Sequence, residues 1–174
     1  MRALTITDGR FAVEERPPPE PGSGDVLVRV HGAGINRADL LQRAGGYPAP
    51  PGVPADIPGL EFAGEVVALG AGTTGIATGD RVFGITAGCA QAEYLTVPAE
   101  HCAPVPAALD LVAAGGVPEV FVTAHDALVS QAEIAAGEWV FVPAVGSGVR
   151  TAAVQHVRAF GARDRKSTRQ NSSH

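Results

Sequence analysis

Near Leu111 the periodicity of this chain changes, and that change restricts its folds more than any other feature. Up to about residue 110, short apolar runs are separated by glycine and proline. "ALTIT" and "FAVEER" flank Asp8-Gly9, a hairpin turn signal. "VLVRVHGAG" alternates, with Val26, Val28 and Val30 on one face. "EFAGEVVALG", "DRVFGI" and "AEYLTV" read as further strands. Short strands with glycine turns predict a small barrel or sandwich. One helix interrupts them: "NRADLLQRAG", with Asn36 at a cap position and Gly45-Gly46 as a stop. The proline-rich "YPAPPGVPADIPG" after it excludes both helix and central strand, so it is a stiff surface loop.

After Leu111 the period becomes helical. "DLVAAGGVPEVFVTAHDALVSQA" predicts helix with a break at Gly115-Gly116, and Pro118 suits the first turn of the second segment. Then comes "GEWVFVPAVGSGVRTAAVQHVRAFGA", a buried strand over 139–142, a glycine turn and a helix over 149–160. Gly146 and Gly148 let backbone come close to a ligand, since no Cβ stands in the way. The free N–H groups and dipole of the helix that follows face an anion, and a pyrophosphate suits that place. A tight strand–helix connection needing glycine only for its shape fits the same residues. Arg150 stands where a third glycine would be comfortable.

Composition excludes several function classes. The formal charge of −5 leaves no basic footprint for nucleic acid. No apolar run is long enough to span a bilayer, and "MRALTITDGR" is too polar for a signal peptide. A soluble, cytoplasmic protein is the expectation. Cys89 and Cys102 form neither a disulfide framework nor a zinc spacing, and the histidines look scattered. No metal site is expected. Up to Arg163 there are ten arginines and no lysine, whereas the closing "DRKSTRQNSSH" holds three of the six serines. That stretch resembles a translated sequencing adapter, with Gln170 in place of a leucine. Residues 164–174 are therefore expected to be a non-native tail on an N-terminal fragment.

Singly, Tyr47 is either an exposed loop aromatic or a phenol that donates to a carbonyl. Asn36, Thr123 and Ser147 fit ordinary cap, helix and turn positions equally well. Together, "GINRADLLQRAGGYPAPPG", "PGLEFAGEVVALG", "GDRVFG", "AQAEYLTVP", "PEVFVTAHDAL" and "GSGV" before "TAAVQ" resemble the medium-chain dehydrogenase/reductases. More narrowly, they resemble the zinc-free quinone oxidoreductases of the tumour-suppressor-inducible type.

The resemblance implies a mainly β, chaperonin-cap-like (GroES-like) substrate domain over 1–118. The truncated start of an α/β Rossmann domain for NADPH would follow over 119–163. In zinc-dependent relatives a cysteine stands at the position of Asn36 and a histidine at that of Leu60, so no zinc is implied. The implied reaction is hydride transfer from NADPH to a quinone or related enone. Tyr47 would lie beside the reacting carbonyl, and Asn36 and Thr123 would touch the nicotinamide region. Gly146, Ser147, Gly148 and Val149 would line the phosphate and ribose side, with Ser147 also counted near the chemistry. An enoyl reductase of the same fold and a non-catalytic, crystallin-like NADPH binder are the alternatives. A homodimer is expected at full length.

Overall fold

The computed structural model describes residues 1–143 and 146–164. The chain divides into two compact units, Met1–Glu119 and Val120–His174.

The first unit is mainly β. Strands β1 (Arg2–Thr7) and β2 (Arg10–Glu15) form an antiparallel hairpin around Asp8 and Gly9, at φ 50° and 69°. Positive φ at both central residues gives the turn the twist its strands need. Five strands form the larger sheet: β3 (Asp25–Gly32), β4 (Glu61–Leu69), β5 (Arg81–Ile85), β6 (Tyr94–Pro98) and β7 (Cys102–Pro104). Their order is β6-β3-β4-β5-β7, and every pairing is antiparallel. Val26 and Val28 are fully buried, as their alternation predicts, and pack with Phe62, Val66, Val82, Leu95 and Val97.

Strand β4 lies at the centre, and its residues Glu61–Gly64 are all buried. With both faces covered, this segment shows no clean alternation. Strand β7 is three residues long and ends in proline, which left it unrecognised in the sequence. The helices are α1 (Arg37–Arg43), ended at Gly45, and α2 (Leu111–Ala114), whose Asp110 cap accepts from the Ala113 N–H at 2.9 Å.

Helix α3 (Pro118–His125) starts at the proline as predicted and continues into a π-helical turn over Asp126–Gln131. In the second unit, β8 (Trp139–Val140) is followed by α4 (Gly148–Ala159) and β9 (Arg163–Asp164). Strands β8 and β9 pair in parallel, Trp139 with Arg163 and Val140 with Asp164. A core of Ala124, Leu128, Ala152, Ala153, Val157 and Ala162 lies between the helical segments and the strand ends.

Two expectations need correction. The strand expected over 139–142 forms a ladder only over Trp139–Val140, because β9 offers it two residues. The Val142 carbonyl instead accepts a bond from Arg150 Nε at 3.0 Å. Asp164, the first residue of the expected tail, pairs in β9, and residues 165–174 lie outside those described. Nor are the histidines all scattered: the rings of His125 and His156 meet edge-on at 5.7 Å, beside Phe121 and Phe160.

Candidate functional site

Asn36 occupies the position before the first residue of α1 and closes a capping box with Asp39, while its amide nitrogen also reaches a third residue. Its backbone N–H donates to Asp39 Oδ2 at 2.7 Å, and its Nδ2 donates to Glu61 Oε1 at 2.9 Å. Glu61 Oε2 accepts the backbone N–H of Glu119 at 3.0 Å. Asp39 Oδ1 accepts the N–H of Gly59 at 3.0 Å. Glu61 and Asp39 are 2% and 3% exposed, so both carboxylates are buried, and each oxygen accepts one N–H donor. Among the described residues no cation pairs with either. Burying an ionised carboxylate in this way is tolerable only where such donors replace water.

The sequence reading missed Glu61, Asp39 and Glu119. A signal was present: a glutamate opens "EFAGEVV", the most apolar strand of the chain, and buried acids are rare without a partner. Burial pushes the Glu119 carboxyl above the usual carboxylate range, helped by the nearby charges of Glu61 and Asp39.

Tyr47 lies in the loop after α1 and is 40% exposed, so its ring is open to a ligand. A cavity of about 390 Å³ in this unit, lined by Val53, Asp56, Ile57, Cys89 and Tyr94 among others, includes neither Tyr47 nor Asn36. Burial raises both cysteine thiols to about 11, with the Asp56 charge adding to the effect at Cys89. At neutral pH they are therefore thiols and poor nucleophiles. Among the described residues no group of three or more His, Cys, Asp or Glu side chains could hold a metal ion. No helix among them is long and apolar enough to cross a membrane.

In the second unit, Gly146, Ser147, Gly148 and Val149 come together as the start of α4. Ser147 caps the helix, its Oγ accepting the Arg150 N–H at 3.2 Å. The N–H groups of Gly148 and Val149 have no intrahelical acceptor, as in the first turn of any helix. A Cβ at residue 146 would meet nothing within 4 Å, and the first turn of α4 carries no acidic residue. Arg150 does not fill the turn, since its side chain folds back to the Val142 carbonyl. These features fit a cofactor phosphate, which needs room, N–H donors and no opposing charge. Thr123 is exposed on α3.

Comparison with known proteins places this architecture. Residues 22–134 match the alcohol dehydrogenase GroES-like domain. The chain is 42% identical over 139 residues to the polyketide synthase GfsB of Streptomyces halstedii, covering 80% of this chain and 2% of that protein. It is 34% identical over 164 residues to the synaptic vesicle membrane protein VAT-1 homolog of Rattus norvegicus, covering 91% and 40%.

Among solved structures, an alcohol dehydrogenase superfamily protein from Novosphingobium aromaticivorans superposes with a TM-score of 0.86 at 37% identity. That match covers 94% of this chain and 52% of the other. Mycobacterial Rv1454c complexed with NADPH gives 0.83 at 32% identity, covering 94% and 52%. The quinone oxidoreductase from Coxiella burnetii gives 0.82 at 26%, covering 94% and 55%. The chain thus spans about half the length of these structures and less than half of the two curated relatives.

A GroES-like, mainly β unit is followed here by the start of a Rossmann-like α/β unit. The chain belongs to the alcohol dehydrogenase GroES-like domain family, within the medium-chain dehydrogenase/reductase superfamily.

Proposed function

We propose that the protein is a zinc-free, NADPH-dependent reductase of quinones or related enones. The observation that carries this reading is the start of α4: a parallel strand, a glycine turn and a Ser147-capped helix without a first-turn acid. Likeness to a structure complexed with NADPH supports the choice of cofactor. Likeness to a quinone oxidoreductase supports the choice of acceptor. Asn36 and Leu60 stand where the zinc-dependent relatives have ligands, and neither side chain is a zinc donor of the usual kind. Cytoplasmic location and a homodimer belong to the same proposal, as does the division of the chain near residue 118.

NADPH, when bound, supplies the hydride from its nicotinamide C4; the protein supplies orientation and electrostatics. The N–H groups of Gly148 and Val149 hold the phosphate side, next to Gly146 and Ser147. Asn36 and Thr123 orient the nicotinamide end. Tyr47 donates a hydrogen bond to the acceptor oxygen as negative charge builds on it, an interaction that strengthens toward the transition state.

An enoyl thioester is the second acceptor considered, and the 42% identity to a polyketide synthase is what favours it. The two acceptors separate in one assay: NADPH oxidation by the full-length protein with phenanthrenequinone and with crotonyl thioester. The quinone is expected to be the faster substrate. Preference for the thioester would shift the assignment, and NADPH binding without turnover of either would indicate a non-catalytic binder. In the same assay Tyr47→Phe is expected to lower kcat by about tenfold while leaving NADPH affinity nearly unchanged. An unchanged kcat would make Tyr47 an ordinary loop aromatic.

A further inference from the structure

The cavity of about 390 Å³ in the first unit has no part in the reaction proposed above, yet it is far larger than the gaps that ordinary packing leaves. Its lining runs from core to surface. Ile57 and Leu95 are buried, whereas Pro17 and Pro54 are exposed, so the cavity opens to solvent on the proline side. With Val53 these residues make its walls mainly apolar. Small-molecule pockets have this size and this character.

The walls are held in place rather than left to collapse. Three backbone bonds tie the segment after β5 to the one before β4. The N–H groups of Cys89, Ala90 and Gln91 donate to the carbonyls of Ile57, Gly59 and Pro58 at 3.1, 3.2 and 3.0 Å. Thr86 Oγ1 donates to the Gly88 carbonyl at 3.0 Å. The Asp56 carbonyl accepts the Ile6 N–H at 2.7 Å.

The charges at the cavity are already matched. Arg16 pairs with Asp56 at 2.8 Å and with Glu14 at 2.6 Å. An ionised ligand would lose hydration there without gaining an uncompensated counter-charge, and a neutral one escapes that cost. Apolar walls that lack partner atoms forfeit dispersion contacts, which an apolar occupant restores.

We propose that this cavity is a second ligand site, with neither Tyr47 nor Asn36 in its lining, for a neutral and largely apolar molecule about the size of a fused two-ring aromatic. The inference stands independently of the reductase reading.

Cys89 lines the cavity and reports on its occupancy; Cys102 does not line it and serves as internal control. Burial holds both thiols at about 11, so both alkylate slowly in the absence of ligand. The full-length protein is treated with iodoacetamide at slightly alkaline pH, with and without 2-naphthol, and labelling is followed by peptide mass spectrometry. At about ten times its dissociation constant, 2-naphthol is expected to slow labelling of Cys89 about tenfold and to leave Cys102 unchanged. The anionic analogue 2-naphthoate at the same concentration is expected to protect Cys89 little. Val53→Trp, which fills the cavity from a loop, is expected to abolish the effect of naphthol.

No slowing at Cys89, equal slowing at both cysteines, equal protection by 2-naphthoate, or protection that survives in Val53→Trp would overturn the inference. A wild-type measurement requires neither labelling nor a variant: 2-naphthol is expected to shift the amide resonances of Val53, Ile57, Gly88 and Leu95. Shifts confined to the neighbourhood of Tyr47 would overturn the inference while leaving the reductase reading intact.

Discussion

The carboxyl of Glu119 is held above its usual range first by burial and then by the charges of Glu61 and Asp39. Its effect on stability has a definite sign. In the unfolded chain the group ionises at lower pH than in the folded one, so between those two values the folded state binds more protons. Stability contributed by this group is therefore present at acid pH and is lost as pH rises through the raised folded value. Glu119→Gln removes that loss. Urea midpoints of wild type and Glu119→Gln are expected to coincide most closely at acid pH, with the variant gaining as pH rises to neutrality. A difference that does not depend on pH would contradict the assignment.

At this scale the sequence was informative about residue types and poor about their partners. Asn36 reads as a helix cap and stands in a capping box with Asp39, but its amide also donates to Glu61. That pairing joins residues 25 positions apart, and no local pattern encodes it. Arg150, at a position where a third glycine would be comfortable, likewise finds its partner in the Val142 carbonyl, eight positions back and encoded by no local pattern.

Among the elements, α2 and its cap lie close against β3. A Cβ on Gly115 would run into the backbone of Gly32, and one on Gly32 would lie 2.7 Å from the Val112 carbonyl. Two glycines thus let helix backbone rest directly on strand backbone. Gly115→Ala is expected to destabilise the first unit by about 1–3 kcal/mol, the usual range for overpacking, with the chain having to shift at β3. A thermal midpoint equal to wild type would show that α2 is free to move. Period-two runs and glycine turns identified β1 to β6, because each strand carries its own burial pattern. They did not identify β7, whose three residues are too few for a pattern, nor the π-helical turn, which reads as ordinary helix. The boundaries of α4 were predicted within one residue because Ser147, glycine and helical period agree there.

For the molecule as a whole, the two units differ in how their strands are held. In the first, β3 is flanked by β4 and β6, and its core valines are fully buried. In the second, β8 pairs with the two residues of β9, while Trp139 and Phe141 are 67% and 60% exposed. Local opening should follow this difference, since it is cheapest where few apolar contacts and few ladder bonds must break. In native-state hydrogen exchange on a polypeptide of this sequence, amides of β3 and β4 are expected to exchange slowest and those of β8 and β9 among the fastest. Equal protection in both units would mean that the second unit has support not evident from its ladder. The change from β to α/β was legible because it rests on periodicity alone. The parallel partner of β8 was not, since "RD" carries no strand signal of its own.

In the proposed reaction hydride passes from NADPH without metal, in a protein whose Asn36 is tied to a buried carboxylate. The most direct measurement is quinone-dependent NADPH oxidation by the full-length protein, before and after exhaustive dialysis against a strong chelator, with zinc content determined on the same samples. The rate is expected to be unchanged by chelation and independent of added zinc. A rate abolished by the chelator and restored by stoichiometric zinc would show a zinc-dependent enzyme instead.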